Sequence, residues 1–369
     1  MKIGIPKEIK DKEARVGMTP SGVSQLIKAG HSVVVETNAG IDSGFSNDLY
    51  TNAGANLSSA QDAWNVDLVV KVKEPQKSEY HYLQKQIVFT FFHLAGVDKS
   101  LTEALLNKGT TAIAYESLED AHGKLPILAP MSAIAGNMSV LMGAYYLAQF
   151  NQGNGMQLGS ILNKSYGKVV VLGDGVVGQH AAKVASAMGS HVFVASRHED
   201  RWPTLKQNDL SKVNFFKSNQ ANISAQIIDA DLVIGAVLSR SAKAPKILSE
   251  TMLKSMPKGS VIVDVSIDQG GCFETSKATT HSDPVFIKHG VIHYCVSNMP
   301  GAYPKASTLA LTDVTLDYIL DIANHSLAGF MADQGRIKAI NTYQGKLTSQ
   351  KVAEDLDLLN AFQALEPLH

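Results

Sequence analysis

The chain has almost no net charge: 33 lysines and arginines stand against 34 acids in 369 residues. That balance removes the electrostatic reason for binding nucleic acid or an anionic membrane surface. Cysteine is scarce as well. Cys272 and Cys295 are the whole complement, and neither has a second cysteine at the C-x-x-C spacing of a zinc or redox site. A disulfide framework is equally unsupported, and a reducing cytoplasm is the expected compartment. The opening MKIGIPKEIK lacks the long apolar core and small-residue cleavage site of a signal peptide. Charge is missing altogether between Leu125 and Asn163. A membrane span wants about 20 predominantly apolar residues, whereas this stretch holds Pro126, Pro130, Ser132, Asn137, Ser139, Gln149 and the polar run NQGNG. It reads as a helix buried between two domains.

What is present is an alternation of strand and helix. Strands are expected at Lys2–Ile5, Ser32–Glu36, Leu68–Val72, Ile87–Phe91 and Thr111–Tyr115, with helices at Ser21–Ala29, Ala60–Trp64 and Lys99–Leu106 between them. Such alternation argues for a mostly parallel sheet covered by helices. A long helix follows, from about Ser132 to Phe150, whose residues Ile134, Met138, Leu141 and Tyr145 share one face and are expected to be core. A second α/β unit starts at Gly167, with strands at 191–196, within 230–238 and 260–267, and a closing strand at 290–296. The helical stretch from Ser307 to about Met331 leaves this unit and returns to the first. The expected architecture is therefore two α/β domains with a cleft between them. A Rossmann dinucleotide-binding domain spans 135–300. A flavodoxin/Rossmann-like substrate domain is built from 1–134 and completed by 301–369.

Gly173-Asp174-Gly175-Val176-Val177-Gly178 is a G-x-G-x-x-G that follows an apolar strand and opens a helix. The first glycine serves the tight turn, the second admits a pyrophosphate to the backbone, and the third lets helix and strand pack closely. The next strand ends without the acid that normally reads the ribose of NAD. Ser196-Arg197 stands there instead, with Glu199 and Asp200 further on. A guanidinium beside a small hydroxyl suits the 2′-phosphate of NADP, or Arg197 stacks on the adenine or points to solvent. The cofactor is read as NAD, with NADP left open.

Beyond that loop the sequence resembles the alanine dehydrogenase and transhydrogenase domain I family. The resemblance runs through GIPKEIKDKEARVGMTPSGV, VKVKEP (70–75), FTFFHLAG (89–96), AIAYE (112–116), LAPMSAIAG (128–136), DLVIGAVL (231–238), VDVSIDQGGCFE (263–274) and SNMPGAYPKAST (297–308), and so covers essentially the whole chain. His93 in FTFFHLAG is the residue that alanine dehydrogenases carry and transhydrogenase domain I lacks.

The resemblance implies oxidative deamination of L-alanine to pyruvate and ammonia. Arg15 and Lys73 would hold the substrate carboxylate or oxo group, and Lys71 is read as facing the other side of its strand. His93 is the implied general acid and base, the side-chain type suited to moving protons near neutral pH. Among Phe91, Phe92 and Leu94 the same histidine also reads as a core residue. Asp268, at the end of a strand, is the implied second proton carrier. Ser132, Val237, Leu238, Asn298 and Met299 would line the nicotinamide side, and Ser132 could also cap its helix. Ser218, Ile267 and Asp268 complete the candidate cofactor contacts. No metal is required, and a homo-oligomer, a hexamer in the family, is implied.

The sequence departs from the family at Ala133 and Asn137, at Ser239-Arg240-Ser241, at GSILNKSYG before the glycine strand, and at the missing ribose acid. Three other readings stay open: a soluble nucleotide-binding subunit of a proton-translocating transhydrogenase, an amino-acid dehydrogenase with another substrate, and a non-catalytic ligand sensor.

Overall fold

A computed structural model describes residues 1–207, 210–238 and 244–365. The chain divides into two compact units, one formed by Met1–Met131 with Gly301–His369 and the other by Ser132–Pro300. The first boundary falls inside the long helix Leu128–Leu147.

The first unit begins with six strands: β1 (Lys2–Ile5), β2 (Ser32–Glu36), β3 (Asn56–Ser58), β4 (Leu68–Lys73), β5 (Ile87–Phe91) and β6 (Thr111–Ala114). Their pairings with one another are all parallel, and β6 also takes an antiparallel partner from the end of the chain. Every residue of β4 and of β6 is buried, as central strands with both faces covered must be. Helix Pro20–Lys28 shows how local chemistry fixes an element. Thr19 caps it by accepting from the Gly22 N–H, Pro20 needs no donor at the first helical position, and Val23 and Leu26 are buried.

The second unit holds the remaining parallel sheet. Its strands are β7 (Gly159–Ile161), β8 (Lys164–Tyr166), β9 (Lys168–Leu172), β10 (His191–Ser196), β11 (Asn214–Lys217), β12 (Leu232–Gly235), β13 (Val261–Asp264), β14 (Val285–Lys288) and β15 (Val291–Tyr294). The seven-stranded order is β11-β10-β9-β12-β13-β15-β14, and only β14 runs antiparallel. The expected closing strand, β15, is thus covered by an edge strand that precedes it in sequence. β7 and β8 form a separate hairpin, made by the unusual GSILNKSYG. Its two turn residues, Leu162 and Asn163, both take positive φ, the geometry of a tight hairpin turn that matches strand twist.

The chain then returns to the first unit through helix Pro304–Phe330, interrupted at Ser326, and adds β16 (Ile340–Tyr343) and β17 (Lys346–Leu347). The completed eight-stranded order is β17-β16-β6-β5-β4-β1-β2-β3.

Two expectations for the long helix fail. It starts at Leu128, so Ser132 lies inside it and caps nothing. Leu141 and Tyr145 are about half exposed (46% and 51%) and are not core. Met138 of that stripe is buried, and the packed side also holds Ala135, Val140, Leu147 and two glycines. A Cβ on Gly136 would come within 2.4 Å of the Val177 carbonyl oxygen, and one on Gly143 within 2.5 Å of Leu232. Close packing at these two glycines, against the Val177 backbone and the Leu232 side chain, orients this helix together with the buried Met138, Val140 and Leu147. Among the described residues no helix is long and apolar enough to cross a membrane.

Candidate functional site

In the first unit the candidate residues gather at the carboxyl ends of strands, where ligands collect in parallel sheets. Lys73 ends β4 and is paired in register with Phe91, two residues before His93. Glu8 fixes the end of β4 by accepting from the Val72 N–H at 2.6 Å and the Lys73 N–H at 3.3 Å. Burial holds the Glu8 carboxyl above its ordinary pKa, against the pull of Lys71.

Lys71 is fully buried, bonded to Glu8 and Glu79 at 3.1 Å each and lying over the Trp64 ring. Residues two apart on a regular strand share a face, so alternation alone does not separate Lys71 from Lys73. The pairing of β4 with β5 is irregular between Val70 and Lys73, which breaks the period there.

Arg15 is 2% exposed, so it is no surface arginine. Its guanidinium forks onto Glu13, Nε to Oε1 at 2.7 Å and Nη2 to Oε2 at 2.5 Å, and Nη1 reaches the Met131 sulfur at 3.2 Å. Glu13 was not foreseen. It holds the buried charge in place and orients it.

His93 does not behave as a core residue. Phe92 and Leu94 on either side are buried, while the His93 side chain is 39% exposed. Its backbone is left-handed, φ 47° and ψ 41°, a conformation that is rare for residues with a side chain. Glu116 holds it there. The Glu116 carboxylate accepts from the His93 N–H at 2.6 Å and from the Phe92 N–H at 3.2 Å, and Oε1 lies 3.8 Å from His93 Nδ1. The imidazole stacks on Phe91 at 5.7 Å and 5°, and Phe91 is braced edge-on by Tyr115 at 5.1 Å. Burial raises the Tyr115 hydroxyl pKa well above its ordinary value. Glu116 belongs to AIAYE, which the sequence singled out without giving this acid a role.

In the second unit the glycine turn joins β9 to helix Val176–Met188. The three glycines have three different reasons. Gly173 has φ 126°, and a Cβ there would sit 2.3 Å from the Ala236 carbonyl oxygen. Gly178 packs so tightly that its Cβ would meet the Gly173 oxygen at 1.9 Å. Gly175 has an ordinary φ of −73° and open space, with nothing within 4 Å of a Cβ. The protein itself does not require a glycine at 175, and an incoming pyrophosphate does. Val176 and Val177 open the helix, whose free N–H groups favour an anion. The turn therefore fits a dinucleotide.

Around it stand the other strand ends. Ser196 ends β10 and is buried, and Arg197 beyond it is exposed. Ser218 N–H donates to the Ser196 carbonyl at 2.9 Å. Val237 and Leu238 follow β12; the departure at 239–241 lies outside the described residues. Asp268 is exposed on the turn Val265–Gln269 after β13, next to buried Ile267.

That turn is pinned by Asp264, which the sequence did not flag. Its carboxylate accepts from the N–H groups of Ser266 (3.0 Å), Cys272 (2.8 Å) and Phe273 (3.3 Å) and from the Ser276 hydroxyl (2.5 Å). Both sides of the Asp268 turn are thus tied to one buried acid, whose pKa burial pushes up. Ser266 Oγ also donates to the Val237 carbonyl at 2.6 Å, joining the two strand ends. Asn298 follows β15 with φ 60°, its carbonyl 3.2 Å from His281 Nε2, and Met299 beside it is buried. Ser132 lies half-buried within its helix. Arg15, Lys73 and His93 belong to one compact unit, and Asp268 and the remaining cofactor candidates to the other.

A doubly wound sheet with a Gly-x-Gly-x-x-Gly turn, joined to a second parallel sheet completed by the chain's own end, defines a class of two-unit α/β dinucleotide-binding proteins. Comparison with known sequences narrows the class. The domain description "Alanine dehydrogenase/PNT, N-terminal domain" matches residues 4–135, and "Alanine dehydrogenase/PNT, C-terminal domain" matches residues 139–350. The chain belongs to this family. It is 47% identical to alanine dehydrogenase 2 of Staphylococcus aureus (strain USA300) over 362 residues, 97% of each chain. A solved L-alanine dehydrogenase structure superposes with a TM-score of 0.92 at 44% identity, covering 97% of this chain and all of that one. A transhydrogenase structure from Sinorhizobium meliloti shares the fold, with a TM-score of 0.79 at 24% identity over 95% and 99% of the two chains.

Proposed function

We propose that this chain catalyses the reversible oxidative deamination of L-alanine to pyruvate and ammonia. The carrying observation is the way His93 is presented, half exposed in a left-handed backbone held by Glu116, at the end of the strand beside Lys73. Substrate contact requires such exposure, and a packing residue does not.

In the proposed mechanism Arg15 and Lys73 hold the carboxylate and the oxo group, so that the α-carbon is fixed for reaction. Bound nicotinamide supplies the acceptor for the hydride that leaves that carbon. His93 removes a proton from the substrate amine, and later moves protons between the attacking water and the departing nitrogen. Asp268 is the second proton carrier and orients the water. The glycine turn 173–178 holds the pyrophosphate, with Ser132, Ser218, Val237, Leu238, Ile267, Asn298 and Met299 as the proposed contacts of the rest of the cofactor. The proposal assigns the substrate role to the first unit and the dinucleotide role to the second.

It also includes a cytoplasmic homo-hexamer. The exposed Leu141, Tyr145 and Phe150 supply apolar surface for assembly, and light scattering on the purified chain gives the oligomeric mass.

The test is steady-state oxidation of L-alanine with NAD and with NADP. Turnover with either supports the reading and removes the isolated transhydrogenase subunit as an alternative. His93→Ala should lower kcat by at least ~10²-fold. Absence of turnover with both cofactors, or an unchanged rate in His93→Ala, refutes it.

A further inference from the structure

Nicotinamide dinucleotides come in two forms that differ by one phosphate ester on the 2′-oxygen of the adenosine ribose. We infer that this chain selects the 2′-phosphorylated form, NADP(H), through Ser196 and Arg197. The inference rests on the dinucleotide reading above.

The ribose is read at the carboxyl end of the second strand, beside the glycine turn, where NAD-binding sheets place a carboxylate. Backbone bonds identify that position here. Gly173 N–H donates to the Ala195 carbonyl at 3.1 Å, and Ser218 N–H donates to the Ser196 carbonyl at 2.9 Å. Ser196 therefore stands level with the turn, between the ends of β9 and β11. A carboxylate at this place would repel a phosphate dianion. The Ser196 hydroxyl does not: its oxygen accepts from the His198 N–H at 3.0 Å, which leaves its own proton to donate.

Arg197 comes next, exposed, and no acid is paired with it among the described residues. Two of the neighbouring carboxylates are ion-paired. Glu199 binds Lys217 at 3.1 Å, and Asp174 of the glycine turn binds Arg201 at 3.3 Å. Asp200 is exposed on the same turn, four residues past the strand end. The Arg201–Asp174 pair also ties the segment after β10 to the pyrophosphate turn. The ribose position thus offers an available guanidinium, a hydroxyl and no carboxylate. That is the donor set for a phosphate, which guanidinium binds with two parallel hydrogen bonds.

The full chain is titrated with NADPH and with NADH by nicotinamide fluorescence. Calorimetry with adenosine 2′,5′-bisphosphate and with 5′-AMP then isolates the adenosine end, away from nicotinamide and substrate. NADPH should bind at least ~10-fold more tightly than NADH, about 1.4 kcal/mol. The bisphosphate should exceed AMP in the same sense, and both preferences should shrink as salt is raised. Arg197→Ala, at an exposed position, should abolish the preference. Ser196→Asp with Arg197→Ala should reverse it. Equal or tighter binding of NADH by the parent chain overturns the inference, as does an unchanged preference in Arg197→Ala. Binding of neither dinucleotide overturns the dinucleotide reading itself.

Discussion

Replacing Glu116 by alanine should disable His93 without touching it. The carboxylate accepts two backbone N–H groups, at 2.6 and 3.2 Å, and one belongs to a residue held at positive φ. Hydrogen bonds to a charged acceptor contribute about 1.5–3 kcal/mol each, and a left-handed backbone costs roughly 1–2 kcal/mol for a residue with a Cβ. The Glu116 side chain is 17% exposed, so water replaces part of what is lost. A net release of about 2–4 kcal/mol against the observed His93 backbone remains after that discount.

If His93 must be so placed to move protons, kcat for L-alanine should fall by about 10²-fold in Glu116→Ala. Glu116→Gln keeps one oxygen acceptor and should lose about 10-fold. A loss of packing would give the same fall, so the deciding assay is a double-mutant cycle. In a His93→Ala background, Glu116→Ala should cost less than about 3-fold, because the residue it positions is already gone. Losses that multiply would sink the reasoning, and so would a Glu116→Ala enzyme within 2-fold of the parent while His93→Ala is crippled.

Other outcomes follow from the same geometry. Gly175→Ala enters open space, so thermal stability should be unchanged while dinucleotide affinity drops at least ~10-fold; calorimetry showing parental affinity would remove the pyrophosphate from that turn. His293 is buried with Nδ1 against the Val291 carbonyl and Nε2 against the Thr275 hydroxyl, and burial lowers its pKa to about 4. A histidine lowered in this way stabilises the fold fully above pH 6.5, and that contribution is lost as pH falls through about 4. Urea unfolding should therefore show the parent losing roughly 3 kcal/mol more than His293→Gln between pH 7 and pH 4, and equal losses would contradict the assignment. Thr342 Oγ1 donates to the Thr110 carbonyl at 2.7 Å and accepts from the Ala112 N–H at 3.1 Å, all of it buried. Thr342→Val should cost about 2–3 kcal/mol in unfolding experiments, and a change below about 0.5 kcal/mol would refute that account.

The strands that periodicity found were those with uninterrupted branched apolar runs; β2, β5 and β10 lie where the sequence put them. β3, β14 and β17 escaped because a short edge strand buries too little to leave a pattern, and β16 because its four residues, Ile340–Tyr343, are too few to show a period. The long helix shows a different blindness. Hydropathy weighs Leu141 and Tyr145 heavily and Gly136 and Gly143 hardly at all, yet both glycines lie on the packed side, Gly136 against the Val177 backbone and Gly143 against the Leu232 side chain.

The candidates Arg15, Lys73, His93 and Asp268 come from motifs. Glu13, Glu116 and Asp264 were not given roles, because each acts by holding another residue. Where a carboxylate's lone pairs go depends on strand order and turn geometry, as when β5 lies against β6 and brings Glu116 under His93.

The pairing of β16 with β6 also sets a timetable. Thr342 bonds to Thr110 and Ala112, and the Ala339 carbonyl accepts from Ala114 at 2.7 Å. More than two hundred residues separate the two strands, and the whole of the second unit lies between them. As the chain emerges from the ribosome, Ser132–Pro300 has all its strands available while β6 still presents a bare edge. Such an edge is a template for wrong pairing, and contacts this distant in sequence form late. The first segment made is thus the last completed, and a nascent chain stopped short of Ile340 would carry an unprotected sheet edge into the crowded cell.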